Sequence, residues 1–131
     1  QFAALLDLPC DFHLIQKELR DDDADCLKSR PQLHCHSAAL TDYGETAALV
    51  ALMDAVVSVD TSVAHVAGAL GTPLLLLLPW VADWRWFCEE DDTPWYPGAK
   101  LLRQPVQGDW HTPIAAAAGA VARNTVSIHP V

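Results

Sequence analysis

The plainest pattern along the chain is two apolar runs separated by a short polar junction. Residues 55–59 are valine-rich, of the kind buried on both faces of a parallel sheet, and residues 74–78 are five consecutive leucines. Between them, Asp60-Thr61-Ser62 opens a helical pattern over 62–70 that ends at Gly71, and Thr72-Pro73 leads into the second run. This β-α-β unit over 55–78 is the strongest structural signal, and its crossover is long enough to join parallel strands. Upstream, Phe2, Leu5, Leu6 and Leu8 have roughly helical spacing, which predicts a helix stopped by Pro9. Strands are predicted over 12–16 and 32–36, with a short helical turn over 22–27. A turn at Thr41-Asp42-Tyr43-Gly44 precedes a helix over 45–53. Downstream, an irregular aromatic and acidic stretch fills 79–98. A last strand over 99–103 and an alanine-rich helix over 109–123 follow. The alternation predicts an α/β fold: a Rossmann-like open parallel sheet with helices on both faces, strands 12–16, 55–59 and 74–78 lying in that one sheet.

Composition narrows the function. The 131 residues fit one domain, and a hydrophobic content of 51% is enough for a buried core. A formal charge of -9 repels a phosphate backbone, which disfavours a nucleic-acid partner. A small anion remains possible where backbone N–H groups or placed cations receive it. Cys10, Cys26, Cys35 and Cys88 form no C-x-x-C pair and read as reduced thiols of a cytoplasmic protein. The longest apolar run, 73–80, is far short of the ~20 residues that span a bilayer. His34-Cys35-His36 invites a metal reading, which is rejected because no further Cys or His cluster completes a ligand set at zinc spacing. Asp21-Asp22-Asp23 and Glu89-Glu90-Asp91-Asp92 read as solvated loops.

Chemistry concentrates where strand 55–59 gives way to its helix. The first N–H groups of such a helix are unpaired and open onto the carboxyl edge of the sheet, where ligands of open α/β sheets bind. A diphosphate there takes hydrogen bonds from those groups and from the hydroxyls of Thr61 and Ser62, with His65 one turn further in. The plainer alternative is that Asp60 or Thr61 only caps a helix and that His65 is structural. Pro79-Trp80-Val81-Ala82-Asp83-Trp84-Arg85-Trp86 follows the next strand and reaches the same edge. The loop packs on itself through Trp84 and Trp86, with Trp95-Tyr96-Pro97 against the same cluster. Arg85 is left open between an aromatic face and a phosphate. Gln16 and Lys17 end the first strand; if it runs parallel, Lys17 points to the same edge, and otherwise it is an ordinary surface lysine.

These residues resemble a known family. Residues 44–49, the junction 56–65, its continuation 66–73, the run 75–79 and the segments Asp83-Trp84-Arg85-Trp86 and Pro94-Trp95-Tyr96-Pro97 carry the likeness. Leu102-Arg103-Gln104 and Gly108-Asp109-Trp110 complete it. Together, over about 1–123, they are similar to the carboxyl-terminal domain of bacterial glycosyltransferases often fused to tetratricopeptide repeats. These belong to the heptosyltransferase-like glycosyltransferase family 9 group. The resemblance implies the carboxyl-terminal half of a GT-B fold, which holds a nucleotide diphosphate sugar as donor substrate. It implies that Asp60, Thr61 and Ser62 meet the diphosphate with His65 nearby, and that neither metal nor further cofactor is required.

Relatives carry a further strand and a basic loop before the segment matched by 1–9, besides an acceptor domain that supplies the catalytic base, and tetratricopeptide repeats. None is recognisable here, nor is a counterpart of 126–131, and the chain starts in mid-pattern without Met. The expectation is therefore one truncated nucleotide-sugar-binding domain over 1–131, unable to complete transfer alone. Its rival is a degenerate module that serves binding or assembly. A half enzyme exposes an apolar seam where its partner packs, so self-association in solution is expected; a monomer in light scattering at high concentration would contradict it.

Overall fold

The leucine run builds the centre of the molecule, because five apolar residues in a row leave a strand no face that water tolerates. The computed structural model describes residues 2–19, 27–30 and 32–127. Along them lie α1 (Ala3–Leu6), β1 (Phe12–Leu14), a helical turn at 27–29, β2 (Leu33–Cys35), α2 (Tyr43–Ala51), β3 (Val56–Val59) and α3 (Ser62–Leu70). Then come β4 (Leu74–Leu78), a 3-10 turn (Trp84–Trp86), β5 (Ala99–Arg103) and α4 (His111–Ser127). All five leucines of β4 are buried, between β3 and β5 in a parallel sheet. Side chains alternate across a strand, so each layer takes its share. Leu74, Leu76 and Leu78 pack with Val50 of α2, Ala64 and Ala67 of α3 and Trp86. Leu75 and Leu77 pack with Ile114 and Ala117 of α4 on the opposite face. Helices thus cover both faces of parallel strands, the Rossmann-like α/β arrangement the alternation predicts.

The β3-α3-β4 unit follows the predicted boundaries within a residue. Gly71 ends α3 in the left-handed region, at φ 74, and the N–H groups of Gly71 and Thr72 fold back onto the carbonyls of the last turn. Pro73 then accepts from the Val56 N–H at 2.8 Å, which starts the ladder.

Two expectations need correction. The valine run is not buried on both faces: only Val56 is buried, and Val59 is exposed. The reason is position, since β3 is an edge of the three-stranded sheet and has a ladder partner on one side only. Nor do the three predicted strands share one hydrogen-bonded sheet. β1 pairs in parallel with β2, Phe12 opposite Leu33, in a separate two-stranded sheet. Its three residues are all half-buried, without the two-sided burial that drives a strand into a sheet interior.

Smaller shifts have local causes. α2 starts at Tyr43, inside the predicted turn, because Asp42 is its cap: the Asp42 carboxylate accepts from the Glu45 N–H at 3.0 Å. α4 starts at His111, two residues after the predicted boundary, and runs to Ser127. Ahead of it, Asp109 accepts from the N–H and hydroxyl of Thr112. Those two hydrogen bonds, the hydroxyl's first, hold the Asp109 carboxyl below its ordinary range. Residues 22–26 of the expected helical turn, the acidic run 21–23 and Cys26 lie outside the described residues. Cys10, Cys35 and Cys88 are free thiols. No helix of the described residues is long and apolar enough to cross a membrane.

β1 and β2 are also joined by histidines. His13 Nδ1 lies 2.9 Å from His36 Nε2, and the His13 ring runs nearly parallel to those of His34 and His36, with centroids 4.9 and 5.1 Å away. Sequence spacing had grouped only His34 and His36, because His13 arrives from another strand. Among the described residues no group of three or more His, Cys, Asp or Glu is arranged to hold a metal ion. Burial first, then the neighbouring charges of His34 and His36, lower the His13 imidazole below its usual value, against a smaller opposite pull from Asp11. A base lowered in the folded state favours folding while it is neutral. Its contribution is therefore complete above the unfolded value of about 6.5 and is lost as pH falls through the folded value. Thermal unfolding should accordingly show stability falling from pH 8 to pH 5, with a shallower fall in His13→Phe. Parallel pH profiles for the two proteins would count against the histidine contact as the cause.

Candidate functional site

Parallel pairing decides which loops meet. Val59 ends β3 opposite Leu77 of β4, so the junction at 60–62 and the loop after Leu78 leave the same carboxyl edge. A hydrogen bond ties them: the Trp86 indole N–H donates to Asp60 Oδ2 at 2.8 Å. Trp86 is fully buried against the β4 leucines, so its only polar atom needs an acceptor, and Asp60 supplies one. His65, one turn into α3, stacks on Trp86 with centroids 5.5 Å apart. Its Nδ1 is 2.9 Å from the Tyr96 hydroxyl and its Nε2 is 3.6 Å from Asp60 Oδ1. A neutral imidazole has one donor and one acceptor nitrogen. When Nδ1 accepts from Tyr96, the proton is on Nε2, on the Asp60 side.

Tyr96 reaches His65 by lying across Gly68. A Cβ on Gly68 would stand 2.4 Å from Cγ of the Tyr96 ring, so only glycine leaves room. His65 and Gly68 are three residues apart and share one helix face. That spacing, a histidine followed by a glycine, was the available signal for Tyr96, which sequence reasoning had assigned only to packing.

Thr61 behaves unlike the starts of α2 and α4. Asp42 hydrogen-bonds the first turn of α2 and Asp109 that of α4, whereas Thr61, extended at φ -143, makes no side-chain cap bond to α3. Its hydroxyl lies 3.2 Å from that of Ser58, which also donates to the Val59 carbonyl. The backbone carbonyl of Thr61 accepts from Ala64 and His65, leaving the N–H groups of Ser62 and Val63 at the exposed start of the helix.

The remaining expected residues stand apart from this cluster. Arg85 is committed inside its own loop: its guanidinium pairs with Asp83 at 2.7 Å and lies over the Trp84 ring, 5.2 Å from the centroid. The Gln16 amide donates to the Glu18 carbonyl at 2.6 Å. Lys17 is exposed. Among the described residues no hydrogen bond or ion pair joins Gln16 or Lys17 to the junction. The aromatic loop also differs from the expected self-packed cover. Trp86 is buried, but Trp80, Trp84 and Trp95 are exposed, Trp84 at 73%. Trp95 does bond the loop, donating to the Arg85 carbonyl at 3.1 Å.

Phe87 has φ 59 and ψ -166, a backbone region that costs a side-chain-bearing residue on the order of 1–3 kcal/mol. Arg103 holds the loop on both sides of it, donating to the carbonyls of Trp86 and Glu90. Arg103 is a residue whose part in the site sequence reasoning missed. It ends β5, and nothing in its own strand pattern points to a loop over ten residues earlier.

Residues 17–78 match the model of glycosyltransferase family 9 (heptosyltransferase). The matched segment takes in Lys17, the whole β3-α3-β4 unit and the Asp60–His65 junction, and ends at Leu78, before the aromatic loop. It does not extend to a link with tetratricopeptide repeats. No curated protein and no solved structure matches the chain.

The Tyr96–Gly68 contact sets two effects against each other. Alanine raises helix propensity by up to about 1 kcal/mol over glycine. Overpacking against the root of a ring costs about 1–3 kcal/mol and also displaces the Tyr96 hydroxyl from His65. Overpacking wins, so Gly68→Ala should lower stability in urea unfolding, and Gly68→Ala with Tyr96→Ala should recover part of the loss. A stabilised single variant would remove the contact from the account.

Proposed function

We propose that the junction at Thr61 and Ser62 holds the diphosphate of a nucleotide sugar, and that the chain is the donor-binding domain of a metal-independent glycosyltransferase of family 9. The observation that carries this reading is the coincidence of the family match with an unspent helix start. Within the matched segment, α3 has a cap residue whose hydroxyl does not cap, and its first N–H groups face the sheet edge. A diphosphate supplies the missing acceptors, and the partial positive charge at the helix start stabilises it. In transfer, an acceptor hydroxyl oxygen bonds to the anomeric carbon and gives its proton to a base of the acceptor-binding partner domain, while the bond to the diphosphate breaks and its electron pair stays with the leaving group. Charge then grows where the N–H groups of α3 already point.

The roles divide on this reading. Thr61 and Ser62 face the phosphate. Asp60, with both oxygens engaged by Trp86 and His65, fixes the junction, and His65 borders the sugar side. Gln16 and Lys17 approach only if β1 is carried to the same edge, and Arg85 serves after release from Asp83. One observation favours the alternative of a non-catalytic binding or assembly module: Arg85, a cation expected at the phosphate, is paired inside its own loop. The same reading places the protein in the cytoplasm, where nucleotide sugars are made available, with an acceptor-binding partner domain.

Replacing both Thr61 and Ser62 by Ala tests the assignment. A hydrogen bond to a charged group is worth on the order of 1–3 kcal/mol, so UDP and ADP, measured by calorimetry, should bind at least about tenfold more weakly. Because Thr61 makes no side-chain cap bond, stability should fall by less than the usual cost of about 1 kcal/mol for a lost cap. Equal affinity in the two folded proteins would remove the diphosphate from this junction.

A further inference from the structure

After β4 the loop folds around a hollow of about 410 Å³ lined by Ala82, Trp84, Phe87, Cys88, Glu89 and Glu90. A volume of this order takes a small organic molecule and is far too roomy for a bare ion. Two kinds of surface meet in it. Trp84 and Phe87 are both exposed, so the hollow offers a ligand two aromatic rings. Beside them stand the carboxylates of Glu89 and Glu90. One Glu90 oxygen accepts from the Glu89 N–H at 3.3 Å, and among the described residues no other hydrogen bond or ion pair engages either carboxylate. Trp84 already takes a guanidinium on one side, with Arg85 Cζ 5.2 Å from the ring centroid. Arg85 is not part of the lining, so the hollow meets the ring from a different side.

The lining selects by charge. An aromatic face carries the negative lobe of the ring quadrupole, and a carboxylate only accepts hydrogen bonds. Both repel an anion. A neutral hydroxyl compound finds acceptors for its O–H groups, but its own oxygens find no side-chain donor beyond the weak thiol of Cys88. An organic cation with N–H groups is attracted by rings and carboxylates alike. The cationic side chains nearby do not cancel this attraction. Arg85 pairs with Asp83 at 2.7 Å, and Arg103 donates to the carbonyls of Trp86 and Glu90. Against them stand four acidic residues in a row, Glu89, Glu90, Asp91 and Asp92.

We infer that this hollow binds a small organic cation, an alkylguanidinium or alkylammonium. Its alkyl part lies on Trp84 and Phe87, its N–H groups donate to Glu89 and Glu90, and its charge faces the rings. An acidic run alone would draw any cation; the two rings make the preference one for an organic cation. The site is separate from the Thr61–Ser62 junction and requires nothing of the diphosphate reading.

The experiment titrates the protein with butylguanidinium and butylammonium chloride at low ionic strength, followed through the indole N–H resonances and the backbone amides of residues 87–90. Magnesium chloride, inorganic phosphate and methyl glucoside serve as controls. At least one organic cation should give a saturable shift of the Trp84 indole at millimolar concentration, and its affinity should fall as salt is added. Trp84→Ala, at an exposed position, should weaken that binding about tenfold or more, read at the amides, while Trp84→Phe keeps most of it. Glu89→Gln combined with Glu90→Gln should weaken it to a similar extent. An amide spectrum as dispersed as that of the parent shows each variant to be folded. Absence of saturation with both organic cations, unchanged affinity in Trp84→Ala or in the double Gln variant, or equally tight saturation by any of the three controls would each overturn the inference.

Discussion

Burying β4 on both faces is the constraint from which the rest of the arrangement follows. A strand of five leucines has no polar side, so one layer must close over Leu74, Leu76 and Leu78 and another over Leu75 and Leu77. Small residues on α3 meet the first set: Ala64 and Ala67 let the helix approach closely enough for its start to lie beside the end of β3. Ile114 and Ala117 of α4 meet the second. The crossover between β3 and β4 then carries the polar junction to the carboxyl edge because the strands are parallel, not because the junction itself determines its place.

Trp86 converts that packing into a site. Its ring belongs to the leucine core, while its N–H belongs to Asp60, so the core and the junction share a side chain. His65 stacks on the same Trp86 ring and takes its second contact from Tyr96, whose approach depends on Gly68. A change in loop 79–98 therefore reaches the junction through indole and imidazole rather than through the backbone. The charged residues of the loop act differently. Asp83 and Arg85 neutralise each other close to the surface, where an exposed pair contributes little stability.

The parts of this arrangement that could be read from the sequence are the ones set by local pattern. The leucine run, the helix over 62–70 with its terminal glycine, and strand 99–103 depend on periodicity and on residues such as Gly71 that signal an end within a few positions. Layer membership is not local. That β3 is an edge, and that β1 pairs with β2 instead, depends on neighbours in space that valines and histidines do not announce. The junction was legible because strand, polar residues and helix follow one another directly. Its supports were not, since Tyr96 comes 31 positions after His65 and Trp86 26 positions after Asp60. The exposure of Trp84 has a related cause: a large aromatic is expected to seek cover, and among the loop's tryptophans only Trp86 receives it.

Five identical residues in β4 have a further consequence. Moving the strand by two positions along its axis would still put leucine at two of the three places on the Leu74, Leu76 and Leu78 face, so the side chains alone are largely degenerate with respect to that displacement. The flanks remove the degeneracy. Pro73 gives its carbonyl to Val56, Leu74 gives its N–H to Gly98, and the Leu78 carbonyl accepts from Gln104. Gln104 is itself buried and takes the N–H groups of Trp80 and Gly108 on a single side-chain oxygen. The leucines thus supply cohesion without an address, and the address is written in the backbone at either end.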